Sequence, residues 1–228
     1  MTHATLNSRR FSRLIGHRFF LLFLFLLATL IVYPYAESTR FGYYAFRILG
    51  SGAILISVYA ANVRRTLLIL AIALAVPSIL QHIILPRIHF GSFAMLNIAL
   101  SFTFDVIIIV VIFRHVFSAV ETNSETIFGA LCIYLLVGFS FASIYDLLAT
   151  FELNAFYLDP HLNLHSVPDR FDFIYYSFGT MTSLGAAGIT PITEQARSLT
   201  ILEAILGVLY LAVLIARLMD AYRPGPKR

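Results

Sequence analysis

Apolar residues in this chain come in long runs divided by short polar connections. The first run, Phe19 to Tyr33, is followed by Pro34; the next two cover about Phe41 to Ala61 and about Thr66 to Leu85. A fourth, about Phe93 to Phe113, is broken only by Asn97 and Asp105, and the last two cover about Ile127 to Ala149 and about Leu199 to Met219. Each approaches the roughly 20 residues that cross a hydrocarbon core. The first run lacks a small-residue cleavage site and is followed by further spans, so it reads as a retained helix rather than a signal peptide. Between the fifth and sixth runs lies Phe171 to Pro191, too short and too interrupted by Gly and Pro to cross. Irregular backbone at membrane depth is tolerated only where it is buried in protein or lines a water-filled cavity, so this stretch predicts a re-entrant loop at a pore or binding site. The pattern therefore predicts an all-α membrane protein with six transmembrane helices and one re-entrant segment.

Composition supports the same class. The chain is 59% hydrophobic and 12% charged, with a mean hydropathy of +0.84, whereas a soluble domain carries about 25% charged residues. The net charge is +4, but the basic residues sit at span ends, so no nucleic-acid partner is expected. The single Cys132 lies within an apolar run, which excludes an intramolecular disulfide and argues against a cysteine metal site. Lys and Arg divide 11 to 5 between alternate sides of the predicted spans. The richer side, holding both termini, is the cytoplasmic one. The segment between the fifth and sixth runs then enters from outside a cell (inner) membrane. The chain divides into a cytoplasmic segment 1–18, a four-helix membrane domain 19–114, a cytoplasmic linker 115–124, a two-helix domain 125–220 and a short tail 221–228, with no soluble ligand domain expected. The sequence contains no Ser/His/Asp, P-loop or dinucleotide motif, so it is not expected to be an enzyme.

The run Thr180-Met181-Thr182-Ser183-Leu184-Gly185-Ala186-Ala187-Gly188-Ile189-Thr190-Pro191, followed by the apolar helix through Ala216-Arg217-Leu218, resembles the pore of the tetrameric potassium-channel superfamily, whose signature is T-x-T-T-V-G-Y-G-D-I-x-P. The resemblance covers about Glu125 to Asp220. It implies a homotetramer in the lipid bilayer, a pore helix over Phe171 to Thr182 and a selectivity filter of Thr182, Ser183, Leu184, Gly185, Ala186, Ala187 and Gly188. Ala186, Ala187 and Gly188 stand where tyrosine, glycine and aspartate are expected. In such a filter, backbone carbonyls replace the hydration shell of the ion, and turning them inward requires left-handed residues that glycine adopts freely. The outer half is therefore expected to be reshaped and wider, and restoring the signature (Ala186→Tyr, Ala187→Gly, Gly188→Asp) is expected to raise K+ over Na+ preference. Monovalent cations, K+ foremost, are the expected permeant species, with no cofactor and no metal.

Other residues carry two readings each. Gly207 falls at the superfamily's hinge position, where it serves either as a gating bend or as a small residue for helix packing. Glu203 is an intramembrane carboxylate, and a hydrogen bond to the back of the pore helix suits it better than a place in the ion path. Asp105, in the fourth run, either senses protons or cations or makes a structural hydrogen bond to Ser51, Ser57 or Tyr59. That run holds no arginine before Arg114, whereas a voltage sensor needs several basic residues across the field. His161 and His165, near Glu152 and Asp159, read as surface histidines rather than metal ligands. Asp146, Glu152, Asp159, Asp169, Asp172 and Glu194 outnumber Arg170 and Arg197 on the outer side, either as a cation-concentrating vestibule or as a solvated loop. The function implied is a cation channel conducting K+ and Na+ with little or no voltage gating. The alternatives are a K+-selective channel with an unusual filter and a non-conducting membrane subunit that uses the channel fold for assembly or sensing.

Overall fold

The structure, a computed structural model, describes residues 18–38, 56, 91–118, 123–163, 165–185 and 188–221. The expected second and third spans, residues 1–17 and residues 222–228 lie outside them, as do Ser51, Ser57 and Tyr59. The described chain is mostly helical: α1 (Arg18–Ser38), α2 (Gly91–Ser118), α3 (Ser124–Phe151), strand β1 (Phe156–Leu158), α4 (Arg170–Met181), strand β2 (Ile189–Pro191) and α5 (Glu194–Ala221). Among the described residues, three stretches, Arg18–Tyr35, Ser124–Phe151 and Glu194–Met219, are long and apolar enough to cross a membrane. At 12 residues, α4 is about 18 Å long and too short to do so.

Element ends differ from the expected ones for local reasons. Pro34 does not end the first helix, which continues to Ser38; in a last turn, proline removes a single N–H bond. α2 runs through His115 to Ser118, so the start of the expected linker is helical. β1 and β2 pair antiparallel, Phe156 opposite Pro191 and Leu158 opposite Ile189. Strands of three residues are too short to register as an alternating pattern.

The residues form two compact units. In the first, which includes α1, the end of α2 and the start of α3, the buried positions Phe19, Leu22 and Leu26 on α1 and Ile108, Ile112 and Val116 on α2 recur at helical spacing. A Cβ on Gly129 of α3 would lie 2.7 Å from Val116 Cγ2, so the absence of a side chain permits that approach. The Phe128 ring meets Phe20 edge-on and Phe23 at a tilt, and the Cys132 thiol donates to the Phe19 carbonyl. Glu125 ties the two ends of this unit: Arg18 N–H donates to its Oε1 at 2.8 Å and Phe19 N–H to its Oε2 at 3.5 Å. These are backbone donors that a helix start leaves without intrahelical partners, and a carboxylate there also complements the helix dipole. Asn123 caps α3, its Oδ1 accepting from Thr126 N–H at 3.0 Å.

The second unit holds the rest of α3, the β ribbon, α4 and α5. Its core is an edge-to-face aromatic cluster in which the Tyr145, Phe156, Phe173 and Tyr176 rings sit 5.1 to 5.5 Å apart. Gly138 leaves room for the Phe178 ring, which would lie 2.7 Å from a Cβ there.

Replacing Glu125 with Ala strands two helix-start donors and should lower stability by about 1 to 3 kcal/mol. Thermal unfolding in detergent reads this out, and an unchanged midpoint would show that the carboxylate is dispensable.

Candidate functional site

α4 begins at a reciprocal cap. Asp169 Oδ1 accepts from Asp172 N–H at 2.9 Å and Asp172 Oδ2 accepts from Asp169 N–H at 2.8 Å, which satisfies two of the orphan donors of the first turn. His165 Nε2 lies 2.7 Å from Asp172 Oδ2 and 3.9 Å from Asp169 Oδ2. His165 thus faces this cap rather than Glu152, while His161 is exposed and donates its N–H to Asp159 Oδ1. Asp146 on α3 sits 3.8 Å from Arg170.

At the other end of α4 the chain folds back beneath the helix. Thr182 N–H donates to the Phe178 carbonyl, Ser183 N–H to Thr180 and Gly185 N–H to Gly179, at 3.0 to 3.1 Å. The Thr182 hydroxyl also donates to the Phe178 carbonyl. Ser183 (φ 59°), Gly185 (φ 80°) and Gly188 (φ 91°) are left-handed. For Ser183, which has a Cβ, this conformation costs about 1 to 2 kcal/mol. Thr182, Ser183, Leu184 and Gly185 are exposed, Leu184 by 78%. Ala186 and Ala187 lie outside the described residues. Gly188 lies against the loop between α3 and α4: its carbonyl accepts from Asp159 N–H at 2.9 Å and from Asn163 Nδ2 at 3.0 Å.

α5 meets the back of α4 through Glu203 and Gly207, which lie one turn apart. Glu203 has no exposed surface. Its Oε2 accepts from the Tyr145 hydroxyl at 2.6 Å, and its Oε1 lies 2.5 Å from Ser177 Oγ. Ser177 Oγ is also 2.7 Å from the Gly138 carbonyl. A serine has one proton for these two acceptors, so the set is complete when the group at 203 donates to Ser177 through one atom and accepts from Tyr145 through the other. One turn earlier, the Tyr176 and Thr200 hydroxyls pair at 2.7 Å. At Gly207 the backbones touch: a Cβ would lie 2.6 Å from the Met181 carbonyl oxygen and 2.9 Å from Met181 Cα. α5 is one continuous helix through this position. The remaining surface of α5 is apolar and exposed at Ile201, Leu202, Ile205, Leu206, Val208 and Leu209.

The expected site residues therefore fall into groups. Thr182 to Gly185 form one loop under α4, Gly188 is held by the loop between α3 and α4, and Glu203 and Gly207 face α4. Asp105 is half-buried on α2. Sequence reasoning missed Asn163, Ser177 and Tyr145. It also missed the cap, for which a signal existed: Asp169-Arg170-Phe171-Asp172 places carboxylates three apart, directly after Pro168 and at the start of an apolar run.

Two apolar helices of membrane-crossing length flank a short capped helix whose C-terminal end meets a loop with exposed, left-handed backbone, which is the layout of an ion channel domain. The ion channel family matches residues 105–223, more than half of the chain. The chain belongs to that family, the two-transmembrane potassium-channel family, and is not an enzyme. No curated protein and no solved structure gives a match.

Glu203→Ala leaves Tyr145 and Ser177 facing a cavity and should cost about 1 to 3 kcal/mol for each group left unpaired. Glu203→Gln, which offers both a donor and an acceptor in the same shape, should retain most of the stability; equal losses in thermal unfolding would refute this donor count. Gly207→Ala should destabilise by about 1 to 3 kcal/mol, because its Cβ would meet backbone that cannot move aside. An unaffected melting temperature would show that the helices separate at this level.

Proposed function

We propose that the chain is a passive cation channel in which four copies surround one axis, with Thr182 to Gly188 as the filter that lines it. The observation that carries this reading is the junction between α4 and the loop beneath it. The C-terminal end of α4 bears about half a negative charge, and the left-handed residues at Ser183 and Gly185 interrupt the uniform direction of the backbone carbonyls. An array of carbonyl oxygens backed by a negative helix end attracts a desolvated cation and repels an anion. Four copies also suit the exposed apolar surface of α5, which lipid and neighbouring chains would cover.

On this reading α4 and the filter loop re-enter the cell (inner) membrane from outside, six helices span it, both termini are cytoplasmic, and residues 125–220 form the pore domain. The permeant ions are K+ and Na+. The inner part of the filter keeps the Ser183, Leu184 and Gly185 carbonyls, whereas the outer part lacks the side chains that would narrow it. Between Gly91 and Ser118 the only Lys or Arg is Arg114, so α2 carries no ladder of gating charge. The close approach of the Met181 backbone to Gly207 is consistent with packing, and a bend there is the proposed gating movement.

Purified protein should elute with the mass of four 25.6 kDa chains in addition to detergent. In planar bilayers, replacing K+ with Na+ on one side should move the reversal potential by less than a strictly K+-selective pore would show. A full Nernstian shift would favour the K+-selective alternative; silence in a correctly assembled tetramer would favour the non-conducting one. Open probability should vary only shallowly with voltage. A steep activation curve equivalent to several charges per subunit would contradict the absence of a sensor.

A further inference from the structure

Among the described residues from Ser183 to Gly188 three are left-handed, and the sequence Ala186-Ala187-Gly188 bears no side chain larger than a methyl group. Such a stretch cannot hold its shape by its own side-chain contacts. It must be pinned at both ends. The inner end is tied to the α4 carbonyls of Phe178, Gly179 and Thr180. The outer end is tied to a different element, the loop between α3 and α4.

That second tie is specific. The Gly188 carbonyl accepts two hydrogen bonds, from Asp159 N–H at 2.9 Å and from Asn163 Nδ2 at 3.0 Å. Asn163 Nδ2 also donates to the Asp159 carbonyl at 3.0 Å, and Asn163 N–H donates to that same carbonyl at 3.1 Å. A side-chain amide has two N–H donors, and both are used here on carbonyl oxygens, so the nitrogen rather than the oxygen must face Gly188. Directly beyond the clamp, Ile189 to Pro191 pair with Phe156 to Leu158. Gly188 fits the arrangement for two reasons. Its φ of 91° disfavours any side chain, and a Cβ would lie 2.7 Å from Asn163 Nδ2 and 3.1 Å from Leu162 Cβ.

We propose that Asn163 is a positioning residue for ion selectivity: by clamping the Gly188 carbonyl it fixes where the filter ends, a task that no side chain at 186–188 can perform. The proposal rests on reading Thr182 to Gly188 as the filter. It changes the expectation for restoring the family signature. Gly188→Asp would place a Cβ where Asn163 stands, so that part of the restoration removes the clamp and should lower selectivity rather than raise it.

The test compares K+/Na+ permeability ratios, from reversal potentials in planar bilayers, for the wild-type tetramer, N163A, N163D and G185A. N163D keeps the shape but replaces the donor with an acceptor. Both Asn163 variants should change the ratio by about threefold or more, on the scale of one lost hydrogen bond per subunit, while melting temperature and tetramer mass stay near wild type. Acidifying the outer solution toward about pH 4, where an aspartate gains a proton, should return the N163D ratio toward the wild-type value, because the protonated group can donate again. Asp159 and His161 are the other titratable groups beside the clamp. They are present in every variant, so the N163A and wild-type ratios measured at the same pH isolate the effect at 163. Unchanged ratios in N163A and N163D, a wild-type ratio near one, or N163D failing to recover in acid beyond N163A would each overturn the proposal. Gly185 has open space around its Cβ position among the described residues, so G185A perturbs only the backbone conformation of the loop. If G185A leaves permeation unaltered, the filter reading itself fails, an outcome distinct from an effect of G185A without one of Asn163.

Discussion

A carboxyl group with no exposed surface joins three elements of the second unit. Glu203 belongs to α5, accepts from Tyr145 of α3, and meets Ser177 of α4. Removing a carboxyl from water is expensive unless every lone pair and proton finds a partner. Once those partners are in place the cost works in reverse, since separating any one of the three helices would leave a buried polar group unpaired. Tyr145 carries this network into the aromatic cluster it forms with Phe156, Phe173 and Tyr176. Dispersion in the cluster is tolerant of small shifts, whereas the hydrogen bonds are not. Together they fix the angle at which α4 presents its C-terminal end to the loop below.

Sequence reading succeeded where a physical signal extends over many residues. The long apolar runs of α1, α3 and α5 and the short interrupted stretch holding α4 leave such marks. The spacing from Thr182 to Pro191 and the inner helix after it carried the family. What remained illegible depends on contacts between distant residues. Asn163 is an ordinary polar residue in a loop, and only its position 25 residues away from Gly188 in sequence, and 3.0 Å away in space, gives it meaning. Gly207 was open to two readings because a glycine's lack of a side chain serves bending and close packing equally, and the close approach of the Met181 backbone is a contact that no sequence pattern shows.

The histidines illustrate the same limit on a smaller scale. His161 and His165 are four residues apart, a spacing that invites grouping them together. Their neighbours separate them: His161 faces Asp159 through its backbone, and His165 turns toward the cap of α4. Neither residues 159–163 nor residues 165–169 are helical, so the four-residue spacing does not place the two on one helix face.

The two contacts between α5 and α4 differ mechanically. At Gly207 the helix touches the Met181 backbone directly, and a van der Waals contact resists compression steeply while offering almost no resistance to separation. One turn before it, the bond from Ser177 to Glu203 resists separation instead. α5 can therefore neither advance on α4 nor retreat from it without loading one of these two contacts. The pair therefore sets the spacing of the two helices from both directions, as a stop and a tie together hold a beam at a fixed distance.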